Sequence, residues 1–561
     1  MENLNNQKPC VVQTPQGFSV SYKDHFLYSK YNPSKLILQS IENLQILPGT
    51  IILCNSPVLD YGLKELSAKV PENCLLVLCE AEAELQKFER ENLKLQEISC
   101  ENLFPASQEL NNLPVILYKL SSTGKYRRVI RLDFSAGVNF HKEYYGQLEN
   151  ACVNSVMTFW KNRLTLTKFG RKYSQNLFSN LKILAKTKPL TSYFKSITKP
   201  IIVFGAGQSL DLFFEKNTGK LDFSNYFILC ADTALQPLLK RNIKPDGVFV
   251  EEAQAIITKA FIGAFSNIHV FAGLSATRLL SHFIKAENLS FFTSLYTDAS
   301  FIEDMKDSIP LPPINNAFGS VGLTAVYYAL KFRSDDSVPV YVTGLDFSYS
   351  AGLTHARETL ANTNRLATAN KIKYANNYGA AFSDSAIKFL DKEKNIFYTS
   401  PNLKNYAETF NHFFQGIKNL FDAGDCGISL SIPRQNPQDE KTSQPAGKMA
   451  AGQETSATTE SFSHQGQVQA GQGNQTTFYT DAQAKVIEEY LKKEKAELLQ
   501  LRDLLTGKTK LSDEERKSQI TKIVASKEYL FLHFADGYRF AYNQSFLNRI
   551  RSEIDFFLKY L

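Results

Sequence analysis

The order of apolar and polar positions divides the chain into parts. Thr50–Cys54 is a short unbroken apolar run, and Asp60–Val70 has helical spacing. Cys74–Cys79 is a second apolar run, closed by Glu80, and Ala81–Leu93 a second helical pattern. This βαβα order predicts a parallel sheet with helices on its faces. Asn154–Lys186 has few turn signals and reads as a helix leading to a second α/β domain that begins near Lys199. There, strands are expected at Pro200–Phe204, Phe227–Cys230, Gly247–Val250 and Pro339–Thr343, with an apolar helix at Val321–Phe332.

The last stretch, Thr480–Leu561, is helical in pattern. Ile487, Leu491, Leu498, Leu501 and Leu505 lie on one apolar stripe. Ser512 with Glu515 three residues later forms a capping box that opens a second helix, and a third runs from about Ser545. Between body and tail, Gln435–Gln475 holds no Leu, Ile, Tyr or Trp, so it cannot bury enough apolar surface to offset its ordering entropy. The expected architecture is α/β. A Rossmann-like domain (1–150) is followed by a helical connector (151–195) and a second Rossmann-like domain (196–425). A disordered linker (426–479) then leads to a C-terminal helical domain (480–561).

Composition adds bounds. With 561 residues, 43% of them apolar, the chain can bury a large core. The net charge of +7 comes from 63 Lys and Arg against 56 Asp and Glu, with no concentrated basic run, so nucleic acid is not an expected partner. No apolar stretch approaches the 18 or so residues that a membrane span needs. The polar start, Met1–Gln16, lacks a secretory h-region. None of the eight cysteines forms a CxxC pair. These features together predict a cytoplasmic protein with structural thiols.

The most informative stretch is Gly205-Ala206-Gly207-Gln208-Ser209-Leu210, which follows the Pro200–Phe204 strand and opens a helical pattern. Glycines let the backbone turn sharply, a helix N-terminus suits a phosphate, and Ser209 could add a hydroxyl donor. The third glycine of the dinucleotide fingerprint is missing, since Leu210 stands there. Polar and glycine residues also follow later strands: Asp232-Thr233, Glu251-Glu252, Asn315-Asn316 with Gly319-Ser320, and Gly344-Leu345-Asp346-Phe347-Ser348-Tyr349. In an open α/β sheet such carboxyl ends share one edge, where ligands bind. Asp232 and Asp346 can reach that edge or cap the next turn.

GAGQSL, ADTALQPLLKRNIKPDGVFVEE, NNAFGSVGLTAVYYAL and VYVTGLDFSYSAGLTHA occur in that order. The set resembles the bacterial motility-associated factor (Maf) family, whose central domain is 6-hydroxymethylpterin pyrophosphokinase-like. It is also similar to bacterial sialyltransferases. The resemblance covers about residues 15–420. It implies a glycosyltransferase that moves a nonulosonic acid of the pseudaminic or legionaminic type from a CMP-sugar to Ser/Thr hydroxyls of flagellin. Carried over by motif, Gly205, Gly207 and Ser209 would hold the CMP phosphate, and Asp232 and Thr233 would meet the nucleoside or sugar. Asn316, Gly319 and Ser320 would lie beside the donor, and Asp346, Tyr349 and His355 would line the reacting centre. His355 could serve as the base or protonate the departing phosphate. Homo-oligomerisation and a requirement for Mg²⁺ are left open; no DxD motif occurs.

In the first domain the turn after the first strand has lost the family's glycines, and a structural or partner-docking role is expected there. Two rival readings remain. One is a pterin pyrophosphokinase with Mg²⁺ on Glu251 and Glu252. The other is a non-catalytic flagellin-binding motility factor. His269 and His282 lack metal-ligand spacing and read as ordinary core or surface residues.

Overall fold

The computed structural model describes residues 8–71, 73–92, 103–105, 116, 124–264, 268–297, 299–372, 378–438 and 479–561. The chain forms two compact units. The first comprises Met1–Lys168 with Leu532–Phe540, and the second Phe169–Phe531 with Ala541–Leu561.

The first unit opens with an antiparallel sheet of β1 (Cys10–Thr14), β2 (Gly17–Tyr22) and β3 (His25–Phe26). A four-stranded parallel sheet follows, built from β4 (Thr50–Asn55), β5 (Leu75–Cys79), β6 (Leu103–Pro105) and β7 (Arg128–Asp133) in the order β6-β5-β4-β7. Every residue of β4 and β5 is buried, which explains why both read as unbroken apolar runs rather than alternating ones. The polar carboxyl ends are closed by their own contacts. Glu80 accepts hydrogen bonds from the Ser56 hydroxyl (2.6 Å), the Glu82 N–H (2.9 Å) and the Tyr145 hydroxyl (3.2 Å). This carboxylate, in the position of a ribose-binding acid, is fully buried.

The second unit is built on eight parallel strands. These are β8 (Ile201–Phe204), β9 (Phe227–Ala231), β10 (Gly247–Val250), β11 (Val270–Gly273), β12 (Leu289–Ser294), β13 (Ile314–Asn315), β14 (Val340–Thr343) and β17 (Leu420–Asp422). A hairpin of β15 (Ile387–Leu390) and β16 (Ile396–Thr399) lies outside the sheet. The sheet order is β13-β12-β11-β10-β9-β8-β14-β17. The chain thus steps outward from β8 to β13 and then returns to the other side of β8. The switch point falls between β8 and β14. The helix Val321–Phe332 makes that return and packs across β8, β9, β10 and β14. Its Tyr328 and Phe332 pack with Phe249, Phe271 and Phe292 of the sheet in one core cluster, with all five rings fully buried. Each such ring contributes roughly 1.5–3 kcal/mol. His269 is half-buried, with Nε2 2.9 Å from the Ser290 hydroxyl, and burial pushes its pKa down to about 3.

Two boundaries differ from expectation. Residues 426–438, expected as linker, are packed: Cys426 and Ile432 are buried, and the Ile428 N–H donates to the Asp346 carbonyl. The rest of the expected linker, 439–478, lies outside the described residues. The tail is not a separate domain. Its helices Asp481–Leu505, Asp513–Ala525 and Gln544–Phe557 belong to the second unit. Phe178 meets the Tyr529 and Phe557 rings edge-on, and the Arg171 guanidinium is 2.8 Å from Glu553. An apolar stripe of three helices needs a partner surface, and residues 169–184 of the helix Lys142–Leu184 supply one. Ser512 and Glu515 do form the capping box.

Candidate active site

A cavity of about 480 Å³ opens at the carboxyl ends of β8, β9 and β14, on the switch point of the eight-stranded sheet. Gly205, Gly207, Thr233, Gly319, Ser320, Asp346, Tyr349 and His355, all picked out from the sequence, line it. Segments scattered over 150 residues of chain therefore converge on one place.

The inner wall is a tight contact between two loops. A Cβ on Gly205 would lie 2.3 Å from the Gly344 carbonyl, and one on Gly207 would lie 2.5 Å from the Asp346 carboxylate. The N–H of Gly205 donates to Thr343 (2.7 Å) and that of Gly207 to Gly344 (2.8 Å). Both glycines are therefore required by the neighbouring loop, apart from any ligand.

Ser209 departs from its expected role. It is fully buried; its hydroxyl donates to Asp346 and accepts from the Gly344 N–H (2.8 Å). Its backbone N–H donates to the other oxygen of Asp346 at 2.8 Å. Both polar groups are used within the protein, so Ser209 is a strut and not an open phosphate donor. Asp346 is its counterpart, only 2% exposed, and it also accepts from the Cys426 thiol (3.6 Å). Burial raises its carboxyl, while the Ser209 bonds pull it back. Asp346 holds the wall together from behind.

A second helix N-terminus takes the place of the first. The helix Val321–Phe332 begins at the cavity, with Gly319, Ser320, Val321 and Gly322 in its wall. Gly319 sits at φ +74°, and a Cβ there would be 2.7 Å from the Tyr406 ring. The positive end of this 12-residue helix faces the space, which suits an anionic group.

His355 stands in the same wall, with Nδ1 3.2 Å from the Thr354 hydroxyl. Burial, then Arg365, lowers its pKa, so the imidazole is neutral at neutral pH and able to take a proton. Tyr349 lines the cavity too, but its hydroxyl donates to the Ala380 carbonyl at 2.9 Å. Asp232 is buried and accepts from the N–H (2.6 Å) and hydroxyl (2.9 Å) of Thr233. Burial, with Glu251 and Glu252 nearby, pushes its carboxyl up to about 7. Asn316 is exposed and does not line the cavity. The neighbouring Asn315 is buried instead, bonded to Ser294 and Tyr328.

Asp232 does not line this cavity but a second one of about 440 Å³, which shares Thr233, Gly319 and Val321 with the first. Glu251 and Glu252 stand in it but do not converge on a cation. Glu251 accepts from Ser294 (2.5 Å) and Thr324 (3.1 Å), and Glu252 from the Gln254 N–H (2.8 Å). Among the described residues no group of three or more His, Cys, Asp or Glu side chains could hold a metal.

Three further wall residues were not assigned a role from the sequence. Ser348 is 5% exposed, and its hydroxyl has no partner among the described residues. Phe347 before it takes a left-handed backbone, φ +48°, a strained state for a bulky residue. The GLDFSY segment signalled both through its polar cluster after a strand. Tyr406 comes from the helix Pro401–Phe414 and left no local signal.

Comparison with known proteins agrees with the resemblance carried by the motifs. Residues 171–352, within the second unit, match the family model described as 6-hydroxymethylpterin diphosphokinase MptE-like. The chain shares its fold with the MAf glycosyltransferase of Magnetospirillum magneticum AMB-1, at a TM-score of 0.50 and 12% identity, over 98% of this chain and 91% of that one. An uncharacterized protein of Treponema pallidum (strain Nichols) is 29% identical over 99% of this chain and 95% of its own length. Among the described residues no helix is long and apolar enough to cross a membrane.

Proposed function

We propose that the chain is a glycosyltransferase whose donor, a CMP-activated nonulosonic acid, binds in the 480 Å³ cavity at the switch point. One observation carries this reading: a helix N-terminus and a neutral histidine face the same cavity. In this reading the donor phosphate rests on Gly319–Gly322, where the helix dipole favours negative charge. The acceptor oxygen attacks the anomeric carbon while the bond from that carbon to the phosphate oxygen breaks. CMP leaves with the electron pair. His355 takes the acceptor's proton or gives one to the departing phosphate. Gly205, Gly207, Ser209 and Asp346 set the shape of the wall. Thr233 lies where the nucleoside or sugar would reach it.

The acceptor in this reading is a Ser or Thr hydroxyl of flagellin in the cytoplasm, modified before flagellar assembly. Purified chain mixed with a CMP-nonulosonic acid and flagellin is expected to release CMP and raise the intact mass of flagellin by one sugar. AMP release from ATP and hydroxymethylpterin, without CMP release, would overturn it. A flagellin-binding factor without catalysis would bind flagellin and leave its mass unchanged.

A further inference from the structure

The first unit holds a cavity of about 260 Å³ at the amino ends of its parallel strands. Gly49 precedes β4, Asn73 precedes β5, and Arg127 and Arg128 stand at the start of β7. Tyr538 and Arg539 come from the segment Leu532–Phe540, which belongs to the same unit. Lys125, Arg127, Arg128 and Arg539 thus surround one concavity, and among the described residues no carboxylate lines it. Among the described residues none of the three arginines is within ion-pair distance of an acid. Like charges gathered this way repel one another, and an anion relieves that repulsion.

The floor is built rather than loose. Gly124, at φ +70°, lies flat against the Tyr538 ring, where a Cβ would come within 2.6 Å. Gly49, at φ +77°, leaves room for the Lys125 carbonyl and accepts the Arg127 N–H at 2.7 Å. Tyr538 packs edge-on to Trp160, whose indole N–H donates to the Tyr126 carbonyl at 2.7 Å. The Arg127 guanidinium lies 4.8 Å over the Trp160 ring, and the Arg128 guanidinium donates to the Pro48 carbonyl at 3.4 Å. Two of the forks are thereby partly oriented before any ligand arrives.

We propose that this cavity binds a phosphorylated small molecule, gripping one or two phosphoryl groups between Arg127, Arg128 and Arg539. Planar guanidinium forks match phosphoryl oxygens in bidentate fashion. The volume lies just below the range of drug-sized pockets, so it suits a phosphate or pyrophosphate moiety better than a whole nucleoside. The chemistry could belong to a free solute or to a lipid headgroup; the concave, partly aromatic wall favours the solute.

Trp160 is the only tryptophan in the chain, and so reports on this cavity directly. Inorganic pyrophosphate titrated into the full-length protein should change its emission saturably. The double variant R128Q/R539Q, which leaves the Arg127–Trp160 stack in place, should weaken that response about tenfold or more. The charge-matched double variant K35Q/K64Q, at exposed lysines of the same unit, should not. Equal weakening by both variants would mean diffuse attraction and overturn the site, as would no response at physiological salt. Emission change with phosphatidylglycerol vesicles but not with pyrophosphate would overturn the solute. Calorimetry checks that the variants keep the parent melting temperature.

Discussion

Ser209 and Asp346, 137 residues apart, bind each other through both the hydroxyl and the backbone N–H of the serine. The pair ties the first turn after β8 to the loop after β14, across the point where the sheet changes direction. An acidic residue in a candidate site is commonly read as a proton carrier. Here both carboxylate oxygens are held by Ser209, which predicts a fastener, and the distinction can be measured.

Replacing Asp346 by Ala leaves the Ser209 donors buried and unpaired. That should cost about 1–3 kcal/mol and lower the melting temperature in step with donor affinity. A proton carrier would instead lose turnover with melting unchanged. Ser209→Ala should repeat the effect more weakly, since it strands the Gly344 N–H.

Gly207→Ala places a methyl group 2.5 Å from the Asp346 carboxylate and 2.9 Å from the Gly344 carbonyl. Backbone cannot yield as a flexible side chain can. The expected cost is about 1–3 kcal/mol, read by thermal unfolding, with loss of CMP binding by calorimetry.

His355→Ala should slow transfer by roughly 10²–10⁴-fold, with little change in stability, because the ring is half-buried at a cavity wall. If His355 is the base, activity should fall as pH drops through its lowered pKa. The acid limb then lies at lower pH than an ordinary histidine would give. A pH–rate profile with its acid limb above that range would count against the assignment.

His269 makes a separate claim about stability. Its folded pKa, about 3, lies below the unfolded value near 6.5. The unfolded chain therefore binds the proton first as pH falls. The stabilisation is complete above about pH 6.5 and declines by about 1.4 kcal/mol per pH unit below it, down to the folded pKa. Lys188 adds to the depression. His269→Asn should flatten that part of the stability–pH curve, followed by chemical denaturation at stepped pH.

Much of this molecule was legible in the sequence. The strands at β4, β8 and β10, the helix Val321–Phe332 and the Ser512 capping box carry local signals, and all stand where those signals put them. The cavity was legible too, because strand ends in a parallel sheet share an edge. What the sequence hid was which donors are already used. A serine after a glycine turn looks the same whether it faces a ligand or an aspartate 137 residues away. Tyr406, on the face of an ordinary helix, gave no sign at all. The start of the linker was misplaced because Cys426 and Ile432 are isolated apolar residues, whose burial depends on the sheet beside them.

The nine residues Leu532–Phe540 set a constraint on biosynthesis. They complete the first unit, yet they are translated after the whole of Phe169–Phe531. Within the unit, the Phe534 carbonyl accepts the buried Arg163 guanidinium at 2.8 Å, and Tyr538 covers Gly124 and Trp160. At 5–20 residues per second, a ribosome needs roughly 20–70 s to reach this segment after leaving Lys168. During that interval the nascent first unit carries an unpaired arginine and an uncovered tryptophan. It is then a natural client for a chaperone, and a stop codon anywhere before 532 would leave it so permanently.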